Sequence, residues 1–376
     1  MRRTPLRRGF TLREMFAVIT IIGVLLALVV PAIRIARESA RRSECERNLK
    51  MTGIALLNYH DTFSMFPMGA MHSGPNPNGE PPSEAGLGPA WWFGVSPFYC
   101  YRSLYDRIVE TQKPGVAKPR QFHADDMLAA GVSLNGIVEH YMHCPSSSLP
   151  LTETPAGPIH LPTYVGIAGG CDIDPNSQDY RVPAGAASGL VAPNTDRIYH
   201  NQRKGTGAAA GGIVTSSGML PPCQHVRLED CTDGIANTMI VAEQSDWLRD
   251  HSRPSSQRYH GDPGWTVGGT GAGGGWLSGT RRVDPVPQVV TPGGPPAIWG
   301  GDCWNIATVR YPPNYKRVMG ATPLPGCSEN HGINNPLQSA HAGGLFVGMA
   351  DGSVQFLSET ADLAVLLRLA IRDDSK

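Results

Sequence analysis

Polarity changes abruptly along the first sixty residues. Residues 15–33 form an unbroken run of 19 positions without a charge. As a helix this run spans about 28 Å, close to the hydrocarbon thickness of a bilayer. Arg2, Arg3, Arg7 and Arg8 precede it, and Glu14, at its mouth, is the first acid of the chain. The positive-inside rule predicts that end in the cytoplasm and the remainder outside. Pro31, near the exit, is expected to loosen or kink the helix. Helical patterning then continues, because residues 34–59 contain no proline and one glycine, Gly53. Cys45, Leu49, Thr52, Leu56 and Tyr59 recur at spacings of four and three, which makes one stripe. Arg37, Arg41, Arg42, Glu44, Glu46, Arg47 and Lys50 fall on other faces or on its flanks. The pattern predicts one helix from Thr11 to about Tyr59, on the order of 70 Å long. Its first half crosses lipid and its second packs on a soluble body. Two helices broken at Pro31 are the alternative.

Beyond Tyr59 the period shortens. Asn58, Asp61 and Pro67 supply helix-ending turns. Residues 91–105 are strongly aromatic and are expected to be buried. Residues 163–170 read as a strand entering a glycine turn, and residues 239–243 as a buried strand after the turn at Asp233-Gly234. Residues 345–350 form another apolar strand. Asp351-Gly352 is a strong hairpin signal, and alternation resumes over residues 353–357. Residues 362–372 carry Leu363, Leu366, Leu367 and Ala370 on one face of an amphipathic helix. The fold class is therefore α+β, a long N-terminal helix on a large, loop-rich antiparallel β head.

Composition refines this. With 32 basic and 32 acidic residues the formal net charge is zero. No basic stripe or aromatic–basic interleaving is present, so no nucleic-acid partner is expected. Gly and Pro supply 77 of 376 residues, well above the usual share of about 12%. They concentrate in residues 71–89, 181–222 and 261–296. Trp91, Trp92, Trp265, Trp276 and Trp299 lie among or beside these stretches, which therefore read as long loops on a folded body. Eight cysteines, an even number in an exported chain, suggest disulfides. Cys223 and Cys231 are the easiest local pair. A bridge from Cys45, on the helix stripe, would staple the spine to the body. No Cys-x-x-Cys occurs, so a zinc ribbon or thioredoxin-type centre has no support.

Glu14 is the odd residue. A carboxylate near an apolar core costs up to a few kcal/mol unless paired. Cleavage after Gly9 would create an amino group on Phe10, a cation that Glu14 of an adjacent subunit could pair with. The segment Gly9-Phe10-Thr11-Leu12, with Glu14 and Pro31, resembles the class III signal of type IV prepilins and type II secretion pseudopilins. Arg13 stands where an apolar residue is usual, and Met15-Phe16 replaces the common leucine pair. The resemblance implies a leader over residues 1–9, a transmembrane and assembly helix over 10–33, the soluble half of the spine over 34–60, and an exported head over 61–376. It implies a prepilin peptidase and other pilin-like subunits as partners. It places the chain as a single-pass protein of the inner membrane with its head outside the cytoplasm, or in filaments. A plain anchor leaves Glu14 unexplained. A secretory signal peptide requires a shorter apolar region and a cleavage site. Arg7-Arg8 also suits a twin-arginine signal, against which Glu14 and the missing cleavage site both argue.

A second resemblance covers nearly the whole chain. His341, nine intervening residues and Asp351-Gly352 look like the ending of a large, poorly characterised bacterial family of prepilin-like proteins. Similar segments are residues 45–50 and 58–61 of the spine, Cys144-Pro145-Ser146, Thr163-Tyr164-x-Gly166, and Thr232-Asp233-Gly234-x-x-Asn237-Thr238. Ile235-Ala236 replaces the usual Thr-Ser, and the end after Arg372 is shorter than typical. Membership implies a pilin-like spine, a β-rich head and export, and no reaction. His341 and Asp351 are candidates for partners across the hairpin base, metal ligands or a processing signal. The plainer reading makes Asp351-Gly352 the turn and His341 the cap of a neighbouring loop.

Signals for chemistry are thin. His140-x-x-His143-Cys144 has ligand types at helical spacing but no evident fourth ligand. Asp172-x-Asp174-x-Asn176 begins like a calcium loop and lacks its glycine and glutamate. Calcium in a head loop is the one cofactor entertained. No Gly-x-Ser-x-Gly, phosphate loop, dinucleotide fingerprint or His-Glu-x-x-His occurs, and no catalytic residue is assigned. The expectation is a non-enzymatic, exported pilin- or pseudopilin-like subunit. The alternatives are a membrane-tethered binding module that does not polymerise, and an envelope hydrolase with a metal near His341 or His143.

Overall fold

The structure is a computed structural model. It describes residues 11–72, 87–99, 102–111, 127, 131–132, 137, 140–149, 151, 160–171, 198–201, 212–246, 248–250, 258–259, 298–299, 305–315, 317–319, 327 and 333–373. One helix, α1 (Leu12–Phe63), runs unbroken for 52 residues with Pro31 inside it. At 1.5 Å per residue it is about 78 Å long. Thr11 is its N-cap, and Ser64 closes it in the left-handed region at φ 56°, with its N–H donated to the His60 carbonyl. Residues 11–37 are exposed throughout. The buried positions are Cys45, Asn48, Leu49, Thr52, Gly53, Ala55 and Leu56. That is the expected stripe widened by one neighbour on each side, with Tyr59 half-buried at its edge.

The remaining elements follow in chain order. They are β1 (Ala70–His72), β2 (Leu87–Ala90), α2 (Trp91–Val95), α3 (Arg102–Glu110), β3 (Tyr164–Gly170), β4 (Ile198–Asn201), β5 (Gly212–Thr215) and β6 (Met239–Glu243). After these come β7 (Leu248–Asp250), β8 (Arg258–Tyr259), β9 (Ile298–Trp299), β10 (Ile306–Val309), β11 (Arg317–Met319), β12 (Gly344–Met349), β13 (Val354–Ser358) and α4 (Leu363–Ala370). The main sheet has the order β10-β3-β6-β12-β13. Within this sheet β10 and β3 pair in parallel, and β3–β6, β6–β12 and β12–β13 are antiparallel. Smaller sheets are β1-β2, β11-β7-β8 and β5-β4-β9.

The central strands are apolar on both sides because both faces are covered. On β3, Tyr164 and Ala168 join the core under α1, whereas Val165 and Ile167 join the core under α4. Phe346 of β12 and Ala350 just after it join the first, and Leu345, Val347 and Met349 the second. Leu366, Leu367 and Ala370 of α4 complete the second core. Trp91 and Trp92 stack at 3.9 Å in the first, as the aromatic run predicts. Trp91 Nε1 donates to the Asn305 carbonyl at 2.8 Å, satisfying the indole while its rings are buried.

The spine and β12 run alongside each other in the same direction. The hairpin turn after β12 comes closest, at Gly53. A Cβ on Gly53 would lie 2.9 Å from the Gly352 Cα, and Gly352 itself has φ +81°. Gly352 thus answers two demands, a left-handed turn and a backbone-to-backbone approach. Replacing Gly53 with alanine forces these backbones apart, and we expect a loss of about 1–3 kcal/mol of head stability. Thermal melting of the full chain in detergent checks this. An unchanged melting temperature would show that the contact is slack.

Candidate functional site

Where the exposed half of α1 gives way to the packed half, a polar cluster forms around Glu38 and His341. The Glu38 carboxylate receives the Arg41 guanidinium at 2.8 Å, the Ser146 hydroxyl at 3.2 Å and His341 Nδ1 at 2.8 Å. Burial opposes the charge on Glu38, but the hydrogen bonds from His341 and Arg41 outweigh it and hold the carboxyl below its ordinary range. An ionised carboxylate only accepts, so His341 Nδ1 is the donor. Burial in turn holds the His341 pKa down, against the pull of Glu38. The pair is a neutral imidazole on a carboxylate. Arg42 extends the cluster. It donates to the Ala342 carbonyl at 2.6 Å and lies over the Phe356 ring at 5.5 Å.

Beneath this pair lie Cys45, Cys144 and Glu243. Cys45 of α1 and Cys144 are joined as a disulfide across 99 residues. This is the staple expected from Cys45, and bridges closing loops of that size contribute typically 2–5 kcal/mol. Cys144 is held by its N–H on Thr163 Oγ1 at 2.7 Å, and Asn48 Nδ2 donates to the His143 carbonyl at 3.3 Å. Glu243 ends β6 with its side chain fully buried. Oε2 accepts the Phe346 N–H at 2.9 Å; Oε1 has no hydrogen-bond partner and lies 3.7 Å from His341 Nε2. Burial pushes the carboxyl up to about 7, with the Phe346 N–H pulling the other way. The donor atoms of Cys45, Cys144, Glu243 and His341 all lie within 4.8 Å of one another.

His341 and Asp351 are not partners. They sit at opposite ends of β12, and His341 grips the spine instead of capping a loop. The Asp351-Gly352 turn forms as expected, with Asp351 Oδ1 accepting the Ser353 N–H at 2.8 Å and its hydroxyl at 2.6 Å. The turn at Thr232–Thr238 docks on it, through Ala350 N–H to the Thr238 carbonyl and Asp351 N–H to the Ile235 carbonyl. His341 and Gly352 are therefore the two ends of one clamp, meeting α1 at Glu38 and at Gly53.

The local cysteine pair does not form. Cys231 donates to Thr238 Oγ1 at 3.2 Å and Cys223 points its sulfur at the Ala70 carbonyl at 3.7 Å, so the two sulfurs are not bonded to each other. A short helical turn at Leu228–Asp230 lies between them. His143 is buried beside His160, their rings 6.3 Å apart, and does not join the Glu243 cluster although Cys144 does. Gly9, Phe10 and the candidate calcium loop at 172–176 lie outside the described residues. Glu14 begins α1 in a capping box, its Oε2 accepting the Thr11 N–H and hydroxyl, each at 2.8 Å. Sequence reasoning missed Glu38 and Glu243. Glu38 is seven residues before Cys45 and so continues its stripe. Glu243 is an acid closing an apolar strand.

Together these features define an α+β protein whose long N-terminal helix is bolted to a β-sheet by a bridge, a histidine–carboxylate pair and a close turn. The profile of the family described as protein of unknown function (DUF1559) matches residues 34–364, and the chain belongs to that family. The match begins where the apolar run ends. No curated protein and no solved structure matches the chain. Among the described residues, α1 is the one helix long and apolar enough to cross a membrane, as an anchor or a signal sequence would be.

Glu243 sets an unusual pH dependence. Its ordinary value is 4.5 and its folded value about 7, so the folded chain binds more protons between them. Its contribution to stability therefore falls as pH rises through that window. Glu38 works oppositely and loses its contribution as pH falls through its lowered pKa. In the disulfide form, Glu243→Gln keeps an acceptor for the Phe346 N–H and removes the first effect. We expect it to be more stable than wild type at pH 8, by up to roughly 3 kcal/mol, with the gap closing towards pH 4.5. Melting curves at both pH values check this.

Proposed function

We propose that this protein is an exported, pilin- or pseudopilin-like structural subunit. The observation that carries the reading is the division of α1. Its first half is apolar, exposed over residues 11–37 and marked by a lone acid near its start, while its second half is stapled to the head. A surface of that kind is tolerable only in lipid or against other helices. On this reading a prepilin peptidase cuts between Gly9 and Phe10 and methylates the new Phe10 amine. The four leading arginines keep that end cytoplasmic, and the head reaches the far side of the inner membrane. Glu14 then has a use beyond its capping box. Its Oε1, which the Thr11 bonds leave, takes the Phe10 amine of the next subunit and sets helix register.

The head contributes rigidity rather than chemistry. The clamp at Glu38 and Gly53 fixes the angle at which it leaves the spine, so that packing of the helices would dictate the spacing of the heads.

Two measurements test the reading. Mass analysis of the protein from its native envelope should find a chain beginning at N-methylated Phe10; retention of residues 1–9 with the peptidase present overturns it. Glu14→Ala should reduce cross-linked multimers roughly tenfold or more, in keeping with a few kcal/mol for pairing that charge, and leave head melting unchanged. Normal processing with no multimers in either protein would favour a tethered binding module over a subunit.

A further inference from the structure

We propose that the Cys45–Cys144–Glu243–His341 cluster is, in its reduced form, a tetrahedral site for a single zinc-class divalent metal, and that the disulfide and the metal are alternative fasteners of the same joint. Three observations carry this. The first is spacing. A tetrahedral ion with bonds of 2.0–2.3 Å needs ligand atoms about 3.3–3.8 Å apart. Cys144 Sγ to His341 Nε2 is 3.5 Å and His341 Nε2 to Glu243 Oε1 is 3.7 Å. All four donor atoms lie within 4.8 Å of one another, and the two sulfurs must separate, which reduction allows.

The second is a pair of buried acceptors set face to face. His341 commits Nδ1–H to Glu38, so Nε2 of the neutral ring presents a lone pair. Facing it is Glu243 Oε1, fully buried and without a hydrogen-bond donor. Two buried acceptors facing each other call for a proton or a metal ion between them. The third is the support around the cluster. A histidine ligand characteristically donates its other N–H to a carboxylate, which fixes the tautomer and raises its basicity. Glu38 stands in that position at 2.8 Å. The donor set of two thiolates, one imidazole and one carboxylate suits zinc. It excludes calcium and magnesium, which take oxygen ligands.

The electron balance is simple. A dithiol reductant passes two electrons and two protons to the Cys45–Cys144 bond, becoming a disulfide itself and leaving two thiols. The metal then displaces both thiol protons to solvent. Oxidation by a disulfide-class oxidant reverses the exchange and expels the ion. In either state α1 stays fastened to the loop before β3 and to the ends of β6 and β12.

The test uses the full chain in detergent, stripped with chelator, reduced and kept free of oxygen. Titration with Zn2+ against a chromophoric chelator should show one tight equivalent, absent from the oxidised protein. Co2+ should give thiolate charge-transfer bands and the strong visible bands of a tetrahedral ion. Glu38→Gln should weaken binding by about 10–100-fold. Glu243→Gln, which keeps both cysteines, should weaken it at least as much and change the Co2+ spectrum. The metal should also shield Cys45 and Cys144 from alkylation, and not Cys231. The proposal is overturned if the reduced protein takes up no tight equivalent, if Glu243→Gln binds as wild type does, or if Co2+ reports six-coordinate oxygen ligation. Loss of the fold on reduction that Zn2+ does not prevent overturns it as well. None of these outcomes bears on cleavage at Gly9 or on Glu14.

Discussion

The grip of the sheet on the second half of α1 is the constraint from which the rest follows. A helix that leaves residues 11–37 uncovered has no packing of its own to orient it. Its direction is set beyond Glu38, by a stripe of small and apolar residues lying along β12. Three unlike contacts hold that stripe. A covalent bond holds Cys45 to Cys144, a buried imidazole ties Glu38 to the start of β12, and two glycine backbones meet at Gly53 and Gly352. Each resists a different displacement: separation, sliding and rotation. Apolar burial alone resists the first well and the other two poorly, because it has no direction.

This explains why segments far apart in the chain have the character they do. The loop before β3 brings Cys144 and Ser146 to the spine, and Thr163 pins it there. The turn at Thr232–Thr238 braces the Asp351 turn from below. The nine residues between His341 and Asp351 are the span of β12 with its two ends. That spacing is the stretch of chain that runs beside the helix from Glu38 to Gly53, and it keeps His341 and Asp351 apart.

Much of the fold was legible because its strong elements repeat with the right period. The stripe at Cys45, Leu49, Thr52 and Leu56, the apolar runs of β3, β6 and β12, and the Asp351-Gly352 turn all report local geometry. The site was legible only in part. His341 stood out, but its partner is 303 positions away and only topology brings them together. With eight cysteines the pairings run to about 105, and the short separation of Cys223 and Cys231 misled, since nearness in sequence says nothing of where each sulfur points. Asn48 and Gly53 look like surface residues on a helix full of charges. They are buried because one reaches carbonyls of the facing loop and the other must let a backbone through. Pro31 looked like a possible break, yet losing one hydrogen bond does not end a helix with long stretches on either side.

The parallel course of α1 and β12 has a mechanical consequence. A pull along the spine from its apolar end enters the head near Glu38 and Cys45, the contacts of the joint nearest that end. Because helix and strand lie side by side and run the same way, the pull loads their interface in shear, with many contacts strained together, instead of peeling it open one residue at a time. The sulfur bridge carries the first share of the load before any core side chain has to move. Such a joint suits a tether under tension, whose head must hold its tilt while the rod beneath it is stretched.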